Sequence, residues 1–136
     1  MDYEQIRAFR NDKNIFSKRL GIYVEELRPG YARAVKTVAE EDLNPVQVPH
    51  GGVYFSLADT ACGSAVGAYG TLAVTINCSL SFLKSAKVGD RLTAEARELQ
   101  GGRRVCVLEV RVTGEAGELC AAGTFTFRRL DKKIEL

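Results

Sequence analysis

Within residues 50–82, the spacing of apolar side chains along the sequence changes at Gly70. This change constrains the fold more than any other feature of the 136-residue chain. Apolar and small side chains recur at helical spacing from Val53 to Ala68, which predicts an α-helix of about five turns that ends in the glycines at its close. From residue 71 to residue 82, apolar and polar side chains alternate, as they do in a β-strand with one apolar face. We therefore expect a long helix followed directly by a long strand. The apolar face expected for this strand comprises Leu72, Val74, Ile76, Cys78, Leu80 and Phe82.

The predicted helix is built from unusually small side chains. These are Ala58, Ala61, Gly63, Ser64, Ala65, Gly67 and Ala68. Glycine costs a helix interior about 1 kcal/mol relative to alanine, so Gly63 and Gly67 indicate that something packs very closely against the helix. We expect a curved sheet wrapped around the helix to be that neighbour.

The rest of the chain completes an α+β plan with one antiparallel sheet. Asp2 can cap one or two short amphipathic helices, and a hairpin follows over residues 21–39 with Pro29 and Gly30 at its turn. Together with the strand after Gly70, the hairpin and the later strands give six strands around one central helix. The length suits a single domain over residues 1–136. The later strands are expected at residues 91–99, 103–112 and 119–129.

Charge and cysteine content exclude several classes of function. The net charge is +2, and 19 basic residues are interspersed with 17 acidic ones, so we expect no nucleic-acid partner. The four cysteines form no C-x-x-C pair and the chain has one histidine, which predicts no metal site. Separated cysteines in apolar surroundings, without an apolar signal segment at the start, indicate free, buried thiols and a cytoplasmic protein.

A membrane span is the other interpretation of the apolar segment at residues 53–76, which carries one charge over a length that could cross a bilayer. Glycine, alanine, serine and threonine outweigh leucine and isoleucine in this segment, and its period changes at Gly70. We therefore expect no membrane partner.

A family resemblance is carried by Asn44, by the His50-Gly51-Gly52 triplet six residues later, and by LADTACGSA at residues 57–65. These motifs resemble the signature of the hotdog-fold acyl-CoA thioesterases of the phenylacetate-pathway (PaaI-like) family. The likeness extends over nearly the whole chain and includes FLKSAKVGDRL at residues 82–92 and the later GGRR. One departure is Gln47, which stands where family members commonly have a glycine, and it bears on the geometry of the loop before the helix.

The resemblance implies a hotdog fold and hydrolysis of an acyl-CoA thioester. Coenzyme A is then part of the substrate, and no separate cofactor is expected. The resemblance also implies a homodimer whose sheets join and whose central helices run antiparallel, usually doubled to a homotetramer. It does not fix the acyl group.

The start of the predicted helix can stabilise an anion, because helix N-termini present unpaired N–H groups and a partial positive charge. Gly51 and Gly52 leave that start open, although glycines can also merely begin a helix. Asp59 lies eight residues beyond Gly51, which is about 12 Å along one helix. One chain cannot bring both to a single carbonyl carbon, whereas two antiparallel helices related by a two-fold axis can. We therefore expect Asp59 to act in a site shared with a second chain.

Asp59 is the candidate catalytic carboxylate, as nucleophile or general base. Attack by its carboxylate would give a mixed anhydride, deprotonation of water would give direct hydrolysis, and the sequence leaves both open. The structural alternative is a buried carboxylate that caps backbone or pairs with an arginine. His50 could be a general base, but at the helix start it more readily orients the loop or donates to the thioester, as the resemblance also implies.

Further site residues are expected around this pair. Asn44 can donate its amide to the thioester oxygen or hold water, unless it is an ordinary turn residue. The resemblance implies a positioning hydroxyl at Thr75, although alternation places Thr75 opposite the apolar face of its strand. Basic residues beside turns, among them Lys84, Arg103 and Arg104, could bind the phosphates of coenzyme A or be solvated surface charge. Two other functions stay open, a non-catalytic acyl-CoA-binding module and an acyl-thioester hydratase or dehydratase with His50 as base.

Overall fold

The computed structural model describes residues 2–136 and contains one antiparallel sheet and three α-helices. The helices are α1 (Tyr3–Lys13), α2 (Ile15–Arg19) and α3 (Gly51–Gly67), with one 3₁₀ turn at Glu40–Asp42. The strands are β1 (Tyr23–Arg28), β2 (Tyr31–Thr37), β3 (Thr71–Phe82), β4 (Arg91–Gly101), β5 (Val105–Thr113) and β6 (Leu119–Lys133). Their order in the sheet is β1-β2-β4-β5-β6-β3, and every neighbouring pair is antiparallel. The predicted α+β class, with six strands and one long helix, is confirmed.

Helix α3 forms the centre of the core. Of its 17 residues 13 are buried, and it contacts all six strands. Small side chains let the sheet approach this closely, because the distance between packed elements is set by the side chains at the contact. Buried hydroxyls on α3 are satisfied locally, since Thr60 Oγ1 donates to the Ser56 carbonyl and Ser64 Oγ donates to the Thr60 carbonyl, both at 2.7 Å. The predicted end at the glycines is confirmed, and Gly70 turns the chain into β3 with φ of +93°.

Gly63 and Gly67 have two close neighbours: the sheet, as expected, through the Phe127 ring beside Gly63, and the Arg10 guanidinium, which the sequence did not predict. A Cβ on Gly63 would lie 3.0 Å from Arg10 Nη2 and 3.4 Å from the Phe127 ring. A Cβ on Gly67 would lie 3.0 Å from Arg10 Nη1. Arg10 reaches across from α1 and donates from Nε to Ser64 Oγ at 2.8 Å. The two glycines therefore make room for the Arg10 side chain.

Strand β3 does not present one continuous apolar face, which corrects the prediction from strict alternation. A register shift between Thr75 and Asn77 inserts an extra residue, as in a β-bulge. Thr75 consequently pairs with Phe127 and Cys78 with Phe125, so all four lie on the face that carries these buried rings.

Three side chains of β3 that were expected to be buried are exposed to solvent. Val74 and Ile76 lie on the opposite face and are exposed. All four cysteines are free, as predicted, but Cys78 is exposed. Strand β3 is also an edge of the sheet, so its outer backbone edge has no partner strand within residues 2–136.

No helix in the described part of the chain, residues 2–136, is both long and apolar enough to cross a membrane.

Candidate active site

The N-terminus of α3 is fixed by His50, which is its N-cap residue. His50 Nδ1 accepts a hydrogen bond from the Gly52 N–H at 2.8 Å, so the proton of the neutral ring is assigned to Nε2. The Gly52 N–H is therefore occupied, contrary to the expectation that both glycines offer open donors. No acceptor within residues 2–136 engages the Gly51 N–H. Gly51 is thus the open donor, and His50 positions it.

A buried ion pair supports the loop that leads into this cap, and the sequence analysis did not single it out. Lys36 Nζ lies 3.0 Å from Asp42 Oδ2, and both side chains are about 5% exposed. Asp42 also accepts from the Ala39 N–H at 2.7 Å and, through its carbonyl, from the His50 N–H at 2.8 Å. The buried pairing with Lys36 keeps Asp42 in place, because breaking such a pair would leave an uncompensated charge. The Asp42 carbonyl in turn holds the His50 N–H at the start of the helix.

The loop over residues 44–48 shows how Gln47 is accommodated in place of glycine. Gln47 has φ of +66° and is the one non-glycine residue with positive φ among residues 2–136. This left-handed conformation favours glycine, which is the residue that the family resemblance led us to expect at this position. Asn44 closes the loop, because its Oδ1 accepts from the Val46 and Val48 N–H groups at 3.1 and 3.2 Å. The amide hydrogens of Asn44 are left for another partner.

A cavity of about 340 Å³ brings Asn44, Gly51 and Lys84 together. These three were predicted separately as donor, oxyanion donor and phosphate ligand. Its apolar walls include Tyr54 and Phe82, whose rings lie 6.0 Å apart. Phe82 also backs Gly51, since a Cβ at residue 51 would lie 3.3 Å from the end of its ring. The cavity therefore combines donors at one end with aromatic surface.

Asp59 and Thr75 form the second group of the site. Thr75 Oγ1 donates to Asp59 Oδ1 at 2.5 Å, so Thr75 faces α3, as the resemblance implied, whereas simple alternation placed it opposite the apolar face of β3. The bulge in β3 is what places this hydroxyl on the same face as the later apolar side chains. Asp59 is partly buried, and a charge-assisted hydrogen bond of this kind is worth about 1.5–3 kcal/mol.

Burial raises the pKa of Asp59 above its ordinary value. The hydrogen bond from Thr75 and the positive charge of Arg10 oppose this shift, because both favour the carboxylate. Burial in turn lowers the pKa of Arg10 to about 10, while the charge of Asp59 raises it, so Arg10 keeps its charge at neutral pH. Arg10 is a contributor that the sequence analysis missed, since an arginine on an exposed amphipathic helix gives no signal of its own.

The two groups do not meet within one chain. Helix α3 is continuous from Gly51 to Gly67, so Asp59 lies about 12 Å along the helix axis from Gly51. The other predicted residues are also dispersed, because Arg103 lies in a different cavity beyond the C-terminal end of α3, and Arg104 is exposed on the β4–β5 turn. One chain therefore holds two separate groups of candidate residues.

Comparison with known proteins identifies the family. The sequence model of the thioesterase superfamily matches residues 47–121, which contain both groups of candidate residues apart from Asn44. The chain belongs to the thioesterase superfamily. The prediction of a thioester hydrolase is confirmed at this level.

Relatives of this thioesterase include a putative esterase of Archaeoglobus fulgidus, 35% identical over 91% of this chain and 79% of the relative. The acyl-coenzyme A thioesterase PaaI of Escherichia coli is 36% identical over 73% of this chain and 71% of that protein. The solved structure of E. coli PaaI, from the phenylacetic acid degradation operon, matches with a TM-score of 0.93 and 30% identity over 98% of this chain and 96% of that one. A Streptococcus pneumoniae hypothetical thioesterase solved with coenzyme A has a TM-score of 0.84 and 28% identity over 91% and 98%. The predicted PaaI-like hotdog fold is confirmed.

Removing the Thr75 hydroxyl from this thioesterase should shift its pH dependence. In Thr75→Val the carboxylate of Asp59 loses a donor that lowers its pKa, so that pKa rises further. If ionised Asp59 is required, the acid limb of the kcat profile moves to higher pH, and activity recovers on the alkaline side. Thr75→Ser, which keeps the donor, serves as the control. An unshifted acid limb in Thr75→Val would show that this hydrogen bond does not govern the catalytic ionisation.

Proposed function

We propose that this protein hydrolyses acyl-CoA thioesters to free acid and coenzyme A. Asp59 supplies the carboxylate, and Gly51 of the partner subunit polarises the thioester carbonyl. One observation carries the proposal. Asp59 is partly buried and hydrogen-bonded to Thr75, and the open Gly51 N–H lies on the same helix but too far from Asp59 for both to reach one carbonyl group. Similarity to a protein named acyl-coenzyme A thioesterase, and to a thioesterase solved with coenzyme A, supports this substrate class.

A second copy of the chain completes the site in this proposal. The outer edge of β3 has free N–H and C=O groups, and exposed edges of this kind pair with another strand. Exposed apolar side chains accompany that edge, with Val74, Ile76 and Phe82 each about half exposed. Pairing two β3 strands about a two-fold axis would satisfy the free N–H and C=O groups of this edge and bring each Gly51 towards the other chain's Asp59. Two such dimers would form the expected tetramer.

In the proposed reaction, the Gly51 N–H and the Asp59 carboxylate each have one role. The Gly51 N–H donates to the carbonyl oxygen, which gains negative charge as the carbon is attacked; one such donor is typically worth about 3–4 kcal/mol of barrier. Asp59 either attacks the carbonyl carbon, giving an anhydride that water then hydrolyses, or takes a proton from the attacking water. In the general-base route the proton that Asp59 takes from water passes to the coenzyme A sulfur as the carbon–sulfur bond breaks. In the nucleophilic route coenzyme A leaves as a thiolate when the anhydride forms, and the water that then cleaves the anhydride regenerates the Asp59 carboxylate and supplies the proton of the thiol. No separate cofactor enters this scheme.

Supporting roles follow from the local contacts. Thr75 orients the Asp59 carboxylate, and the free amide hydrogens of Asn44 are available to the thioester oxygen or to water. His50 presents Nε2–H as a donor while Nδ1 holds the Gly52 N–H, an arrangement suited to orientation and not to base catalysis. Tyr54 and Phe82 offer apolar surface to the acyl or pantetheine chain. Four free cysteines support the proposed cytoplasmic location.

Mixed dimers test the shared site directly. Asp59→Ala and Gly51→Pro chains are each expected to be almost inactive alone. In a dimer of one chain of each kind, one site has both defects and the other has neither. After random reassociation of equal amounts, about a quarter of the wild-type activity should return, because half the dimers are mixed and each has one intact site. The assay is release of free thiol from an acyl-CoA.

Two results complete this test. Mixing without dissociation of the parent dimers, as the control, should restore nothing. If the reassociated mixture, shown by mass spectrometry to contain mixed dimers, stays inactive, then Gly51 and Asp59 do not act across subunits.

A further inference from the structure

The Arg10 guanidinium is partly buried, yet no carboxylate within residues 2–136 forms a salt bridge with it. Asp59 acts on it through charge, without a hydrogen bond. The one hydrogen bond that the guanidinium makes within this part of the chain runs from Nε to Ser64 Oγ, at 2.8 Å. Buried charges are normally paired, and each Nη carries donor hydrogens, so the two Nη groups are open to a ligand.

Helix α3 holds this guanidinium in one position. Ser64 accepts from its Nε, and a Cβ at Gly63 or Gly67 would lie 3.0 Å from Nη2 or Nη1, respectively. Glycine destabilises a helix interior relative to alanine, so α3 carries two unfavourable residues at the place where the Nη groups lie. A cation that is held in position before its ligand arrives loses little conformational freedom on binding.

A cavity of about 320 Å³ lies against this guanidinium. Its lining residues are Phe9, Arg10, Lys13, Asn14 and Leu72. Two of them are cations, none is an acid, and two provide an apolar wall. Asn14 Oδ1 accepts from the Ser17 N–H at 3.2 Å, so the amide hydrogens of Asn14 are further donors. This combination favours a short apolar chain that ends in a carboxylate, the group that a guanidinium binds best.

The guanidinium lies about one helical turn beyond the catalytic carboxylate. Gly63, which it contacts, follows Asp59 by four residues, or about 6 Å along the axis of α3. A short acyl chain spans that distance from a carbonyl carbon beside Asp59. Resting on the function proposed above, we propose that the acyl group carries a second carboxylate, which binds Arg10 in this cavity. The substrates are then coenzyme A monothioesters of short dicarboxylic acids, and Arg10 is a specificity-determining residue.

The inference is tested with glutaryl-CoA and pentanoyl-CoA, whose acyl chains have the same length and differ in the terminal carboxylate. On the alkaline side of the acid limb, kcat/KM of the wild type should be about tenfold higher for glutaryl-CoA, as expected for charge-assisted contacts. Arg10→Met should abolish this preference, and Arg10→Lys, which keeps the cation, should retain part of it. Arg19→Met, a change at an exposed arginine on α2, is the matched control.

The ratio of the two kcat/KM values is the decisive quantity. If Arg10 acted only on Asp59 or only on folding, Arg10→Met would change both substrates alike and leave the ratio constant. The variant should fold, because methionine is long and apolar and because Ser64 Oγ keeps its hydrogen bond to the Thr60 carbonyl. An unchanged ratio in Arg10→Met, or no preference in the wild type, overturns the inference.

Direct binding separates this inference from the proposed function. Nuclear magnetic resonance can follow the Arg10 Nε–H signal, identified by its loss in Arg10→Met, while glutarate or pentanoate is added. Glutarate should shift this signal to saturation, and pentanoate at the same concentration should leave it in place. No shift with glutarate, or equal shifts with both acids, overturns the inference. If neither thioester is hydrolysed, the proposed function fails, while this titration still decides whether the cavity binds a dicarboxylate.

Discussion

Replacing Asp59 with asparagine is expected to lower kcat by about three orders of magnitude or more, since a side chain that attacks or activates water has no substitute in the site. Asparagine keeps an oxygen that can accept from Thr75 Oγ1, so the local structure should persist. It cannot take a proton or form an anhydride. KM should change little, because the carboxylate does not hold the coenzyme A portion. Steady-state release of free thiol provides the measurement.

The same substitution should leave the fold intact or stabilise it. Because burial raises the pKa of Asp59 in the native protein, its ionisation weakens the folded state as pH rises through that raised pKa. Asp59→Asn removes this loss, so its melting temperature should equal or exceed that of the wild type at neutral pH. The difference should vanish below the ordinary aspartate pKa, where the carboxyl is protonated in both states. Asp12→Asn, a change at an exposed acid on α1, is the control. Full hydrolytic activity in Asp59→Asn would refute the proposed mechanism.

Replacing Gly51 with proline should remove one hydrogen-bond donor with little disturbance to the helix. Gly51 is the first residue of α3, a position where proline is favoured, and the preceding His50 has ψ of 142°, which suits a residue before proline. The N–H is absent in proline, so the carbonyl oxygen loses its donor. We expect kcat to fall about 10²- to 10³-fold, as in other oxyanion sites.

Gly51→Ala separates the donor from the added bulk. Alanine restores the N–H but places a Cβ 3.3 Å from the Phe82 ring, a contact that proline shares. Most of the activity should therefore be retained in Gly51→Ala and lost in Gly51→Pro. Equal losses in the two variants would assign the effect to crowding against Phe82 and would remove Gly51 from the mechanism.

Much of the fold could be predicted because its signals are local. The change of period at Gly70 marks the boundary between α3 and β3, and the glycines mark the helix end within a few residues. The bulge in β3 could not be predicted, since it depends on pairing with β6, and no residue at the shift distinguishes it. Strict alternation consequently placed Thr75 on the wrong face relative to Cys78.

The candidate site could be predicted only in part for a related reason. Asp59, Gly51, His50 and Asn44 lie close together in the sequence, so spacing and family resemblance could identify them. Arg10, by contrast, approaches α3 from more than 50 residues away, and its signal in the sequence is divided between an ordinary helical arginine and two glycines. The Lys36–Asp42 pair likewise emerges only when β2 and the loop fold against each other.

The position of Arg10 has a consequence for how proteins of this kind are aligned and shortened. The segment that matches the superfamily begins at residue 47, whereas Arg10 reaches Gly63, Ser64 and Gly67 from α1. A chain trimmed to begin after Asn14 would keep both groups of candidate residues. It would, however, lose the Arg10 side chain and leave an empty space beside Gly63 and Gly67. The Asp59 carboxyl would then titrate without the nearby positive charge of Arg10. Two homologues identical across the shared segment could accordingly have different pH optima because of their leading helices alone.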